Sequence, residues 1–227
     1  MAFLRLLLKA SFGNKIQYHD LFDNYDEYWS SGAIKTDLPE YVNTAKLIEN
    51  WFEVGSTVLD VGIGPGVIAE YLIDKKHLKI SGLDISQVAC QRAMEKGIYT
   101  EVRDITNGLG LKKNETYDYI VLSEVIEHTI YPQKILRDAV RHAQRGVVTT
   151  IPNSAFIVYR IQLLRGYSPR QSFTHLHCWS INDFRIFCDQ LGIKPLKLAA
   201  PLPRYLSRLK NLLAYQQAWL LAPWGKT

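Results

Sequence analysis

Residues 56–66 read STVLDVGIGPG. Ser56–Val61 has the short apolar pattern of a buried strand, and glycines 62, 64 and 66 then allow a tight turn against which a ligand can lie close to the backbone. Helical character resumes over Gly66–Asp74. A strand, a glycine turn and a helix in that order form the unit that opens many parallel sheets, where ligands sit at the carboxyl ends of strands. The pattern repeats downstream. Lys79–Asp84 reads as a second strand with a helix at Gln87–Lys96, Ile98–Val102 as a third, and Tyr117–Ser123 as a fourth with a helix near Pro132–Ala143. Gly146–Ile151 reads as a fifth. Strands alternating with helices at this spacing predict an α/β fold with a doubly wound parallel sheet.

The ends differ from this centre. Residues 1–55 read as a helical cap, rich in aromatics around Tyr18, Tyr25, Tyr28 and Trp29, ahead of a core over 56–227. Residues 153–178 read as an insertion after the fifth strand. Ser180–Leu191 restarts a helix, with Ser180 placed to cap it and Asp183 three residues later. Lys194–Ala200 and 214–222 read as two last strands on an antiparallel edge.

Composition agrees with a globular chain. The 227 residues are 47% hydrophobic and 22% charged, with 13 Tyr, 8 Phe and 5 Trp, enough apolar area to exclude a disordered chain. Cys90, Cys178 and Cys188 are odd in number and lack CxxC spacing, which predicts a reducing, cytoplasmic setting. No apolar run approaches the ~18–20 residues of a bilayer span. Met1–Lys9 is interrupted by Arg5 and makes a poor signal peptide. Within residues 1–12, Phe3, Leu4, Leu7 and Leu8 share one helical face. That face suits an interfacial membrane helix, or docking on the chain's own domain or a neighbouring subunit.

Charge is uneven. Residues 1–150 carry 17 Lys/Arg against 20 Asp/Glu, and residues 151–227 carry 10 against only Asp183 and Asp189. The second segment is either a solvated basic face or a surface for an anionic partner, such as a phosphorylated substrate, nucleic acid or a membrane.

The details of the glycine turn discriminate among ligands. A dinucleotide fingerprint needs a third glycine at 67, where Val67 stands, and Pro65 intrudes. The Gly-Lys-Ser/Thr of a P-loop is absent. Asp84 ends the second strand 20 residues beyond Gly64, placed to accept from ribose hydroxyls, and Asp104 follows the third strand, where an acid meets an exocyclic amine.

Glycine turn, ribose acid and adenine acid at three successive strand ends resemble the class I S-adenosylmethionine-dependent methyltransferases. The resemblance implies a seven-stranded Rossmann-like sheet with S-adenosylmethionine as cofactor. It implies that Gly62 and Gly64 line the cofactor's amino-acid part, with Asp60 nearby. Asp84 and Ile85 would stand at the ribose, Asp104 and Ile105 at the adenine, and Ser123 beside the methionine.

After the fourth strand, residues 123–128 read SEVIEH. As a helical turn they would place Glu124, Glu127 and His128 on one face, a donor set for a divalent cation such as Mg²⁺. With His175, four residues before Trp179, this set is similar to the metal site of small-RNA 3′-end 2′-O-methyltransferases. Ubiquinone-type O-methyltransferases carry a similar Glu-x-x-Glu-His stretch. Many methyltransferases share that stretch without a metal, and there His128 is the candidate general base.

A longer resemblance runs over roughly residues 56–222. Thr150–Asn153 (TIPN), Tyr159–Gly166 (YRIQLLRG), His175–Phe184 (HLHCWSINDF), Leu191–Ile193 (LGI) and Asn211–Ala214 (NLLA) resemble MetW-like proteins, methyltransferase-fold chains linked to methionine biosynthesis. The departure is at Glu124–His128, where MetW-like chains do not usually keep the acidic cluster, and it favours a working enzyme.

These readings predict methyl transfer to a hydroxyl or amine of a small-molecule acceptor, anionic or lipid-like in character. The acceptor pocket is expected among Tyr25, Tyr28, Trp29, His128, Asn153, His175 and His177. An RNA 2′-O-methyltransferase and a non-catalytic MetW-like partner protein remain the alternatives. A nicotinamide-dependent dehydrogenase is weakened by Val67.

Overall fold

The computed structural model describes residues 24–31, 39–168, 172 and 174–225. The amphipathic stretch 1–12 lies outside them.

Seven strands form one sheet in the order β3-β2-β1-β4-β5-β7-β6. They are β1 (Thr57–Val61), β2 (Lys79–Asp84), β3 (Tyr99–Val102), β4 (Tyr117–Ser123), β5 (Ala143–Pro152), β6 (Pro195–Ala199) and β7 (Gln216–Leu221). The first five are mutually parallel. β7 runs antiparallel to both β5 and β6. The final hairpin is therefore antiparallel as expected, with β7 inside the sheet and β6 at the edge. Strand order reverses at β1/β4, where an open α/β sheet leaves its crevice.

The described helices are α1 (Tyr25–Ser30), α2 (Pro39–Ile48), α3 (Val67–Lys76), α4 (Gln87–Glu95), α5 (Pro132–His142), α6 (Ile157–Leu164), α7 (Ile181–Gln190) and α8 (Lys210–Leu213). β4, β5 and β7 are buried along most of their length because helices cover both faces of the sheet. One face carries Leu136, Ala139, Phe184, Cys188 and Trp219. The other carries Ile48, Phe52, Leu72 and Tyr119. Residues 39–52 thus pack directly on the sheet and on α3, with Phe52 edge-on to Tyr119 at 5.1 Å between ring centroids.

The buried polar groups of β7 are paired, as a low-dielectric interior requires. The Trp219 indole N–H donates to Gln217 Oε1 at 2.9 Å, and the Gln217 amide donates to the carbonyls of Pro152 and Trp179. Ser180 and Asp183 form a reciprocal capping box at the start of α7, as their spacing predicts. The stretch read as an insertion contains α6, which the sequence reading did not resolve. All three cysteines are unbridged, and no helix among the described residues is long and apolar enough to cross a membrane.

Candidate active site

Gly62 and Gly64 adopt φ of 73° and 56°, the left-handed region that favours glycine. A Cβ on Gly62 would collide with Val125 Cγ2, so no side chain fits unless the Val125 side chain moves. Asp84 fixes the turn. Its Oδ2 accepts from the Gly64 N–H at 2.8 Å and its Oδ1 from the Ser86 N–H at 2.9 Å. Each oxygen keeps further lone-pair capacity toward the cavity.

α1 lies over this end of the sheet. The Asp26 carboxylate accepts from the Ser86 hydroxyl at 2.5 Å and the Val88 N–H at 3.2 Å, at the start of α4, where helix N–H groups lack intrahelical partners. Trp29 stands over Gly64, 3.2 Å from where its Cβ would be.

Beneath α1 opens a cavity of about 710 Å³, of the size that takes a small ligand. Its wall includes Asp60, Gly62, Gly64, Asp84, Ile85, Asp104, Ile105 and Ser123, all eight residues the sequence placed at a cofactor. Asp60 is 4% exposed, and burial with the neighbouring Asp84 pushes its pKa up to about 7. Burial also raises Asp84, against the pull of its backbone donors. Asp104 goes the other way: it accepts from the Thr106 hydroxyl and N–H, which hold its pKa down. The Ser123 hydroxyl shares a 2.8 Å hydrogen bond with Thr150.

The same cavity reaches His128 and His175. Residues Ile126–His128 form a 3₁₀ turn, too short to align Glu124, Glu127 and His128 on one helical face. Glu127, His128 and His175 do converge, with one ligand atom from each within 4.8 Å of the others. Two backbone bonds bring His175 there, because the Glu127 carbonyl accepts from the Leu176 and His177 N–H groups at 2.8 and 3.1 Å. The imidazoles of His128 and His175 meet edge to face, 4.7 Å between centroids. Glu127 is 1% exposed, and neither carboxylate oxygen finds a hydrogen-bond partner. Burial and the nearby Glu124 push its pKa well up. His128 Nδ1 lies 3.2 Å from the Thr174 carbonyl, which can only accept, so Nδ1 carries the proton and Nε2 keeps its lone pair. Burial lowers the His128 pKa and favours this neutral form.

Although its side chain meets that of Glu127, Glu124 is not one of these three converging donors. Its backbone takes φ 54°, rare for a residue with a Cβ, and its Oε1 accepts from the Gln216 amide at 2.9 Å. The expected four-ligand set is therefore three residues plus a separately held carboxylate.

Two expected pocket residues, Asn153 and His177, do not line the cavity and are structural instead. Asn153 is 0% exposed and its amide donates to the carbonyls of Lys210, Asn211 and Ala214. His177 hydrogen-bonds the Thr129 carbonyl and stacks on Trp179. Tyr25, Tyr28 and Trp29 do line the cavity. Tyr41, Thr44, Arg103, Tyr215 and Gln216 line it too, unforeseen from sequence. Gln216 and Gln217 left one signal, two amides opening an otherwise apolar strand.

Comparison with known proteins agrees with this architecture. Over 87 residues the chain is 36% identical to the ubiquinone biosynthesis O-methyltransferase of Salmonella paratyphi A, covering 36% of each protein. It is 29% identical over 107 residues to that of Pseudomonas fluorescens Pf0-1, covering 43% of this chain and 46% of the relative. The chain thus spans less than half the length of these curated relatives. Among solved structures, the magnesium protoporphyrin IX methyltransferase of Synechocystis with bound S-adenosylhomocysteine superposes with a TM-score of 0.64 at 14% identity, over 88% of this chain and 94% of that one. A methyltransferase complexed with the Trm112 activator of Haloferax volcanii reaches 0.67 at 18%, over 89% and 99%. These likenesses fix the fold as that of the class I methyltransferases. Residues 43–202 match the family described as methionine biosynthesis protein MetW, and the chain belongs to that family.

Proposed function

We propose that the protein is an S-adenosylmethionine-dependent methyltransferase acting on a hydroxyl of a small-molecule acceptor. The observation that carries this reading is Asp84, which ties Gly64 to Ser86 at the wall of a cavity whose other side holds His128 and His175. The site fits the cofactor: the left-handed glycines leave backbone open, Asp84 retains acceptor capacity for ribose, and Asp60 is a buried acid without a counter-charge beside the turn.

When bound, the cofactor supplies an electrophilic methyl on a sulfonium. The chain's own work is to orient and to dry. Asp84 would hold the ribose, Asp104 and Ile105 the adenine, and Gly62 with Gly64 the amino-acid part, while Tyr25, Tyr28 and Trp29 close over the cavity and exclude water. His128, neutral and with Nε2 free of its Thr174 bond, would accept the acceptor's hydroxyl proton.

A second reading is favoured by the unpartnered oxygens of buried Glu127. Glu127, His128 and His175 would then hold a divalent cation, which lowers the pKa of a coordinated hydroxyl.

Transfer of radiolabelled methyl from S-adenosylmethionine to panels of hydroxyl and amine acceptors, with and without Mg²⁺ or Mn²⁺, tests both. Labelled O-methyl product, lost in His128→Asn while cofactor binding persists, is the expected result. Labelled N-methyl product alone contradicts the hydroxyl acceptor, and turnover unaffected by chelation contradicts the cation.

A further inference from the structure

We propose that Glu124, backed by Tyr41 and Tyr215, is a subsite for a protonated amine carried by the methyl acceptor. This rests on reading the cavity as a methyl-transfer site.

Asp60, Asp84 and Asp104 stand at the ends of the first three strands, where the resemblance places the cofactor. Glu124 lies past β4, beside α2 and β7, and shares the cavity wall with Tyr41, Thr44, Tyr215 and Gln216. No Lys or Arg pairs with it among the described residues. Its Oε1 accepts from the Gln216 amide, which is itself within 3.2 Å of the Thr44 hydroxyl, and the Glu127 carboxyl lies against it, so two acids share this corner of the cavity. A half-buried carboxylate beside a second acid and without a counter-charge is costly, and a ligand ammonium removes that cost.

The backbone supports a directed role. Glu124 keeps φ 54°, a left-handed conformation that is strained for a residue with a Cβ. Its N–H is held by the Thr150 carbonyl at 2.9 Å, so the strain is fixed in place and aims the side chain into the cavity.

The surroundings suit a cation. Burial first, and the Glu124 charge second, raise the phenol pKa of Tyr41 and Tyr159, and Glu124 adds to burial and Glu40 at Tyr215. Tyrosine faces attract ammonium groups, and a carboxylate amid tyrosines combines both attractions. The cavity wall offers nothing comparable to an anion. Arg103, the cavity's guanidinium, is bound to Glu101 and to the Leu109 carbonyl. The basic surplus of residues 151–227 thus does not extend to the cavity's charge, which is acidic.

The probes are benzylamine and its neutral isostere benzyl alcohol, titrated at pH 7 into the protein saturated with S-adenosylhomocysteine. The expected result is at least about tenfold tighter binding of the amine, abolished in Glu124→Gln, with S-adenosylhomocysteine affinity unchanged within twofold. Tyr41→Leu keeps the carboxylate and lowers amine affinity about three- to tenfold without moving the alcohol. Equal affinity of the two probes in the native protein overturns the subsite, as does an amine preference that survives Glu124→Gln. A tenfold loss of S-adenosylhomocysteine binding in Glu124→Gln reassigns the residue to the cofactor's own ammonium and overturns it too. Failure of S-adenosylhomocysteine to bind the native protein strikes the methyl-transfer reading instead, and the probe preference measured without it still decides the subsite.

Discussion

Asp84 and Gly64, 20 residues apart in sequence, are joined by a 2.8 Å hydrogen bond from the glycine N–H to the carboxylate. The acid that the resemblance assigns to a ribose therefore also holds the shape of the turn beside it. Two functions in one side chain make Asp84 the residue whose loss the site tolerates least. Asp84→Ala removes two charge-assisted hydrogen bonds, each contributing about 1.5–3 kcal/mol. It should weaken S-adenosylhomocysteine binding by about 100-fold or more while the sheet stays folded, as read by calorimetry alongside circular dichroism. Binding reduced by less than tenfold would show that the turn is held by something else.

Gly62→Ala should be destabilising through two separable terms. The φ of 73° costs about 1–2 kcal/mol, and the methyl collides with Val125 Cγ2. Val125→Ala removes the collision only. A double-mutant cycle by urea unfolding should therefore show Val125→Ala recovering part of the loss, with a coupling of about 1 kcal/mol or more. Strict additivity would contradict the close approach.

Asp60 sets a pH dependence. Its folded pKa is about 7 against an ordinary 3.8, so the folded state holds the extra proton between those values. Stability from this group is full below about pH 4, falls as pH rises through that window, and is lost above about 7. Asp60→Asn should raise the unfolding midpoint of the ligand-free protein at pH 8 and leave it nearly unchanged at pH 4. A bound cation beside Asp60 reverses the shift, so S-adenosylmethionine binding near pH 6 should release a proton, measurable as a buffer-dependent binding enthalpy. A pH-independent effect of Asp60→Asn would exclude the buried-acid account.

Asn153 separates structure from chemistry. Three carbonyls of the chain leading into β7 depend on its amide, so Asn153→Ala should cost about 2–4 kcal/mol of stability by urea unfolding. S-adenosylhomocysteine affinity of the surviving folded fraction should stay within about twofold. A stable variant with altered affinity would return Asn153 to the cavity wall.

The sheet and the cofactor wall were legible because local pattern decides them. A buried strand ending in Gly62-Ile-Gly64, and acids closing the next strands, leave marks in sequence whatever packs around them. The acceptor side was legible only in part. Glu127, His128 and His175 meet as the resemblance implied, whereas Glu124 is not among the converging donors because the segment becomes a 3₁₀ turn preceded by a left-handed residue, and neither leaves a period to read. His177 and Asn153 turn inward for backbone carbonyls from distant segments, a choice set by tertiary contacts. Tyr41 and Thr44 reach the cavity because α2 packs on α3, which α2's own residues do not announce.

The most direct test of the account is calorimetric titration of the protein with S-adenosylhomocysteine, S-adenosylmethionine and NAD. Micromolar binding of the two adenosyl ligands, absent for NAD and lost in Asp84→Ala, is the predicted result. A folded protein that binds neither adenosyl ligand would contradict the methyltransferase account and leave a MetW-family partner protein that keeps only the fold.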